Sequence, residues 1–410
     1  MSKLKDNLLK LINKIFNKKN NKIELLPPTQ GEKILNEFTR GGIIKDFERE
    51  INNGLNIVKL DSLYGNKLGT EKYIYNLPLT SKLSENQTIL LAKQFFASLG
   101  TELSDKANRV LSSEDSKFKF IFEKYGQSLD RNGNPREAEV SNFSEVYCPI
   151  RGDLRDLYSV VHEVTHIFDL SNGDTEARKI FGEIAPQCME RLLDEYLLNL
   201  SDGDIQKYGL DRNILIQDIR NRQVSTFLSR KDNIKSFNNG TGNKALDLRY
   251  ILAQIYSSEY MKLDKNTRTS ELLELMKSIG SNDSISCSKA FGIDLKNKLK
   301  MQFIMSDIVK NIKNTNNQML LQEKLQEILD KSRKEKNFKV SIGNQNVHIN
   351  LESKIPFILI TPSHLENGQT LVMESNNLET NNKELLLKQA LDTGRELNDI
   401  LNGSNPILIP

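Results

Sequence analysis

The chain has 410 residues, 38% of them apolar and 27% charged, with a formal net charge of +3; such a length buries a sizeable core in one large domain or a few smaller ones, and so small a charge gives no reason to expect a nucleic-acid partner. No window reaches the apolar length of a membrane span. The three cysteines, Cys148, Cys188 and Cys287, are too few and scattered for a disulfide framework or a Cys-type zinc site and suit a reducing compartment.

Residues 1–24 form a basic amphipathic helix in this reading: Leu4, Leu8, Ile12, Ile15 and Phe16 recur at helical spacing, and lysines cover the other face. Such a helix either docks on its own domain or makes weak contact with a membrane surface through residues 1–22. It lacks the apolar run and cleavage site of a secretory signal, so the expected address is cytoplasmic. The alternative is export without a cleaved signal and delivery to another cell.

"LLPPTQGE" (25–32) reads as a linker, because paired prolines resist helix. Residues 33–336 read as a mainly helical domain. Helical stretches such as "NQTILLAKQFFASLGTEL" surround an extended "EKYIYNLPLT"; after the turn-rich "SLDRNGNPREAEV", "SNFSEVYCPI" reads as an edge strand. Helices resume at Leu154, and "LKMQFIMSDIVKNIKN" and "QMLLQEKLQEILDKSRKEK" carry the helical period. Residues 338–410 read as an α+β segment: "FKVSI" and "VHINLE" flank "GNQN" like a hairpin, "PFILITP" and "TLVMES" follow as strands, and "NKELLLKQALDTGRELNDIL" is a last helix. The expected fold class is therefore mainly α, with a small β edge from 138–150 and a short strand-rich tail.

"VVHEVTHIFD" (161–170) holds two of the chain's four histidines. Residues four apart share a helical face, so His162 and His166 offer two ring nitrogens to a single ion. Zinc suits imidazole, and a catalytic zinc keeps three protein ligands plus a water. Glu163 stands where its carboxylate reaches that water, takes its proton and later passes it to a leaving amine. A third histidine six residues on would mark another zinc arrangement, but Asn172 stands there. The third ligand is therefore expected to be a carboxylate, with Asp174, Glu176, Glu183 and Glu190 as candidates. Asp174 and Glu176 lie in a polar turn, whereas a carboxylate on a second helix, antiparallel to the first, completes a site more rigidly.

"LYSVVHEVTHIFD", "IFGEIAPQCMERLL" and, less closely, "RNGNPREAEVSNFSEVYCPIRGDLRDL" resemble the zinc core of the oligoendopeptidase F and thimet oligopeptidase family of gluzincin peptidases. The resemblance covers roughly residues 125–200. It implies a zincin-like helical metallopeptidase core over about 125–260, one zinc ion held by His162, His166 and Glu183, and Glu163 as general base and acid. Thr165 replaces the family's Gly, and Asp169 replaces a frequent His and is expected to orient His166. Pro186 replaces a Ser, and the interval from His166 to Glu183 is short. The family also uses a Tyr-rich helix at the developing oxyanion. In "ALDLRYILAQIYSSEYMKL" this points to Tyr256 first and Tyr250 next, with Tyr260 also present. Arg151, Arg155 and Arg249 are candidates for a substrate carboxylate, while His348 and His364 are set aside as structural.

The expected function is a zinc-dependent metalloendopeptidase acting on a peptide or protein substrate. The alternatives are a delivered, effector-type protease cutting one folded protein, and a non-enzymatic helical zinc-binding interaction protein. Oligomeric state is not readable from the sequence.

Overall fold

A computed structural model of the chain describes residues 29–54, 79, 81–141, 144–169 and 175–312, together with four strands between 337 and 374. The amphipathic segment at 1–24, the extended "EKYIYNLPLT", the second long helical stretch at 318–336, the last helix and His364 all lie outside the described residues.

The first helix, α1 (Gln30–Arg40), begins inside the segment expected to be a linker, because Thr29 and Glu32 form a capping box that closes its first turn. Helices α2 (Ile43–Gly54), α3 (Glu85–Ser98) and α4 (Thr101–Leu111) follow. The chain then enters strand β1 (Lys119–Lys124), which the sequence reading had left within a helical region. Phe118, Phe120 and Phe122 alternate at the two-residue period of a strand, a signal too short to stand out there. Strands β2 (Glu139–Ser141) and β3 (Glu145–Ile150) complete a sheet of order β1-β3-β2. β3 is parallel to β1 and antiparallel to β2, so the segment expected at an edge is the central strand. Its Val146, Tyr147 and Cys148 are buried accordingly.

β3 delivers the chain into α5 (Leu154–His166) through a tight turn in which Gly152 adopts φ +78°. The buried Asp156 carboxylate accepts the backbone N–H groups of Arg151 (2.9 Å) and Gly152 (2.7 Å), and Asp153 caps the helix by accepting the N–H of Arg155 (3.0 Å). These contacts fix where the first turn of α5 starts, and hence which way His162 and His166 face. The opposite side of α5, from Leu154 and Leu157 to Val160, Val161 and Val164, is fully withdrawn from solvent.

A short helix, α6 (Glu176–Phe181), occupies the stretch read as a polar turn; Thr175 caps it and Phe181 is buried at its end. Next come α7 (Ile184–Asn199), α8 (Asp202–Lys207), the 28-residue α9 (Arg212–Asn239), α10 (Lys244–Tyr260), α11 (Arg268–Gly280), α12 (Ser284–Lys289) and a helix over residues 298–312, α13. α7 packs on α5 and on α10, and α9 packs on α10. The contacts Tyr158 to Asp194, His162 to Glu190 and His166 to Glu183 run in opposite sequence order, so α5 and α7 are antiparallel. One apolar core joins the helices to the sheet, and the chain is mainly α.

Strands β4 (Asn337–Ile342), β5 (Gln345–Asn350), β6 (Phe357–Pro362) and β7 (Leu371–Glu374) form an antiparallel meander in sequence order. Val340 pairs with Val347 and Ile342 with Gln345, so Gln345 and Asn346 of "GNQN" belong to β5. Among the described residues no helix is long and apolar enough to cross a membrane.

Removing the carboxylate in Asp156→Ala leaves two part-buried N–H groups unpaired, and is expected to cost about 2 kcal/mol in urea unfolding. A loss below roughly 0.5 kcal/mol would contradict the role given to this turn.

Candidate metal centre

His162, His166 and Glu183 meet where α5 crosses the start of α7. One ligand atom from each lies within 4.8 Å of the other two, and this is the cluster among the described residues able to hold a metal ion. His162 Nε2 is 3.2 Å from Glu183 Oε2, and His166 Nε2 is 3.7 Å from Glu183 Oε1. Glu183 sits at the N-cap of α7, where a carboxylate normally accepts a backbone N–H, yet it makes no such bond and turns to the histidines instead. Gly182 leaves room for this: a Cβ there would fall 2.5 Å from the Arg178 carbonyl oxygen and 3.1 Å from the Arg249 guanidinium.

Electrostatics around the three groups are strong because all are withdrawn from water. Burial works against the ionised form of Glu183, but His166, His162 and Arg249 hold its carboxyl well below the usual carboxylate range. Arg249 is the nearest cation, with Nη2 2.7 Å from Oε1. Burial pulls His166 down to about 3, so its ring is neutral and available as a ligand. Its Nδ1 is buried with no hydrogen-bond partner. Burial also pulls on His162, but Glu183 and Glu190 outweigh it and raise that imidazole well above its ordinary value. His162 Nδ1 donates to Glu190 Oε1 at 2.8 Å, and Glu190 is in turn paired with Arg222. Despite burial, Arg222 and His162 bring the Glu190 carboxyl down to about 2.

Glu163, only 6% exposed, lines an open cavity of about 320 Å³ beside the cluster, together with His162, Tyr158, Ser159 and Glu190. Burial pushes its carboxyl up to about 7. His166 and Glu183 lie behind this wall, each also 6% exposed.

The other expected residues fall as follows. Glu190, a candidate ligand, bonds the outer nitrogen of His162 and does not join the cluster. Glu176 accepts a hydrogen bond from the Thr29 hydroxyl, and Asp174 lies outside the described residues. Asp169 does not orient His166: it forms an ion pair with Arg178 (3.3 Å), and burial raises its carboxyl to about 7. Tyr256, the first choice for an oxyanion donor, is a core residue. Its hydroxyl donates to the Ser288 carbonyl (2.9 Å), and its ring packs edge-on against Phe181 and Phe291. Tyr260 donates to the Arg268 carbonyl (3.1 Å). Six residues before Tyr256 the helix has turned, and Tyr250 feels the charge of Glu183, which with burial lifts its phenol to about 12. Of the three arginines expected to meet a carboxylate from substrate, each already has one from the chain: Arg249 has Glu183, Arg151 has Glu137 and Arg155 has Asp153. Cys148 and Cys188 are buried, and burial raises both thiols well above their ordinary value.

The sequence reading missed the far wall of the cavity, where α9 presents Arg222, Ser225, Thr226, Ser229 and Arg230. Their spacing of three and four residues was a usable signal, since Val224, Phe227 and Leu228 mark the buried face of the same helix.

No family model and no curated protein matches the chain. One solved structure, described as "Crystal structure of putative peptidase from Chlamydophila abortus", aligns with a TM-score of 0.41 and 15% identity, covering 67% of this chain and 56% of that one. The chain thus spans little more than half the length of that neighbour.

If the cluster is a zinc site, purified protein should bind about one zinc per chain, and Glu183→Ala should abolish binding. Glu190→Gln, which leaves the three ligands in place but takes the charge from the partner shared by His162 and Arg222, should weaken zinc affinity by roughly 10- to 100-fold. Wild-type affinity in both variants, read by competition with a chromogenic chelator, would contradict this assignment.

Proposed function

We propose that the chain is a zinc-dependent metalloendopeptidase, with His162, His166 and Glu183 holding one zinc ion and Glu163 acting as general base. The observation that carries this reading is the meeting of two imidazoles and one carboxylate beside a second carboxylate, that of Glu163, which lines the cavity. The donor set suits zinc: two imidazoles, one with its outer nitrogen already held by Glu190, and the Glu183 carboxylate, all within reach of a single ion. Among the described residues three donors converge, one fewer than a closed structural site uses, which favours a catalytic over a structural ion.

When bound, zinc supplies a Lewis acid that polarises a scissile carbonyl and eases the ionisation of water. The rest is the work of the chain's own residues. Glu163 takes a proton from the attacking water at its cavity-facing carboxylate and returns it to the departing amine nitrogen. Glu190 holds the His162 ring through Nδ1, keeping Nε2 turned to Glu183. Arg249 keeps Glu183 ionised. Tyr250 is the oxyanion donor in this reading, because its ring packs against Arg230 of the cavity wall and its phenol lies within the field of Glu183 and Glu163. Tyr256 is left out of this reading because its side chain is buried and its hydroxyl donates to the Ser288 carbonyl.

Two measurements test the assignment. Glu163→Gln should keep its zinc while peptide cleavage falls by at least about 100-fold; equal cleavage at equal zinc content would end the reading. Tyr250→Phe should lower kcat by about 100-fold. Tyr256→Phe should act through stability alone, by about 1 kcal/mol. The reverse ranking in kcat would remove Tyr250 from the mechanism.

A further inference from the structure

The cavity that exposes Glu163 is lined mainly by charged and hydroxyl-bearing residues, with Leu79 its one aliphatic side chain. Four arginines reach it: Arg151, Arg155, Arg222 and Arg230. Three of them are neutralised at close range, by Glu137, Asp153 and Glu190 respectively. Arg230 is not. One of its terminal nitrogens donates to the neutral Gln187 Oε1 at 3.2 Å, its plane lies 4.4 Å from the Tyr250 ring centroid, and its Nε is buried without an acceptor.

A guanidinium carries five N–H donors arranged as a planar fork. Arg230 has spent one of them on an amide, in a setting dry enough that burial pulls its pKa below the ordinary arginine value. The ring of Tyr250 on one side and Gln187 at one nitrogen limit how far the group can swing. What it lacks is a planar anion with two oxygens, which matches the fork bidentately and is bound more strongly than a neutral acceptor. Ser229 and Thr226, on the same face of α9, add hydroxyls at the cavity wall.

We propose that Arg230 anchors a substrate carboxylate, either an acidic side chain near the scissile bond or the free C-terminus, so that peptides presenting that carboxylate are the preferred substrates. This rests on the metallopeptidase reading above for the word substrate, although binding itself does not require turnover. It also moves the carboxylate-binding role from Arg151, Arg155 and Arg249, which the chain already satisfies, to a residue that it leaves unsatisfied.

The test uses zinc-loaded full-length Glu163→Gln protein, so that binding is measured without cleavage. Four matched fluorescent peptides are compared by anisotropy: an acidic side chain against its amide isostere, and a free against an amidated C-terminus. The anchored carboxylate should bind roughly tenfold more tightly than its neutral counterpart. The arm that loses affinity identifies the source. Adding Arg230→Gln should bring the ratio near one, and Arg230→Lys, which keeps the charge but not the fork, should restore only part of it. Equal binding of all four peptides would overturn the proposal without any Arg230 variant. A ratio unchanged in both Arg230 variants would overturn it as well. Acidic preference without cleavage by the wild type would count against the peptidase and leave the anchor standing. Cleavage by the wild type that is indifferent both to the acidic side chain and to the free C-terminus would do the opposite.

Discussion

Glu183 is a carboxylate almost fully removed from water, and the local structure is arranged so that it stays ionised there. A lone buried carboxylate takes up a proton; this one is surrounded by His162, His166 and Arg249 and does not. The same logic repeats along the antiparallel pair of α5 and α7. Asp194 accepts from Tyr158, Glu190 accepts from His162, and Arg222 from α9 serves the second of these acids. An acidic stripe on α7 is thus held between polar groups of α5 on one side and arginines of α9 and α10 on the other. Buried ion pairs of this kind add little net stability over a well-packed apolar interface, but removing one partner strands a charge. That asymmetry fixes the helix register, and the register sets the distance from His166 to Glu183.

The scaffold protects this register from both ends. Strand β3 is central in its sheet and buried, and the Asp156 carboxylate ties its last turn to the first turn of α5. On the far side Gly182 admits the Arg249 guanidinium beside Glu183. A dense apolar core lies behind both helices, so the histidines have one direction left in which to face. Function and fold meet in that restriction, because the side of α5 that carries Ser159, His162 and Glu163 lines the cavity while its side from Leu154 to Val164 is buried in the core.

The pair of histidines one turn apart, the glutamate between them and a carboxylate on the next long helix were legible in the sequence, because helical geometry alone decides which residues share a face. The common face of the two candidates on that helix was also legible, since Glu183 and Glu190 are seven residues apart and so lie on one side of α7. What was not legible depends on rotation and partnering. Tyr250 and Tyr256 look alike in a Tyr-rich helix, but six residues place them on different sides, one towards Glu183 and one into the core against Phe291. Arg249 looked like a substrate contact and is instead the partner of Glu183. Asp169 looked like a partner for His166 and is taken by Arg178. Strand β1 and the cavity face of α9 were missed for a related reason: a three-residue aromatic alternation and a serine-arginine stripe acquire meaning only once their neighbours are known.

The central claim is that two imidazoles of α5 and the carboxylate opening α7 are ligands to one zinc ion. X-ray absorption at the zinc edge tests it directly. The account predicts a shell of nitrogen and oxygen at about 2.0 to 2.2 Å containing two imidazoles, one of which disappears in His166→Ala. A sulfur ligand, a shell with no imidazole, or a spectrum unchanged by His166→Ala would contradict it.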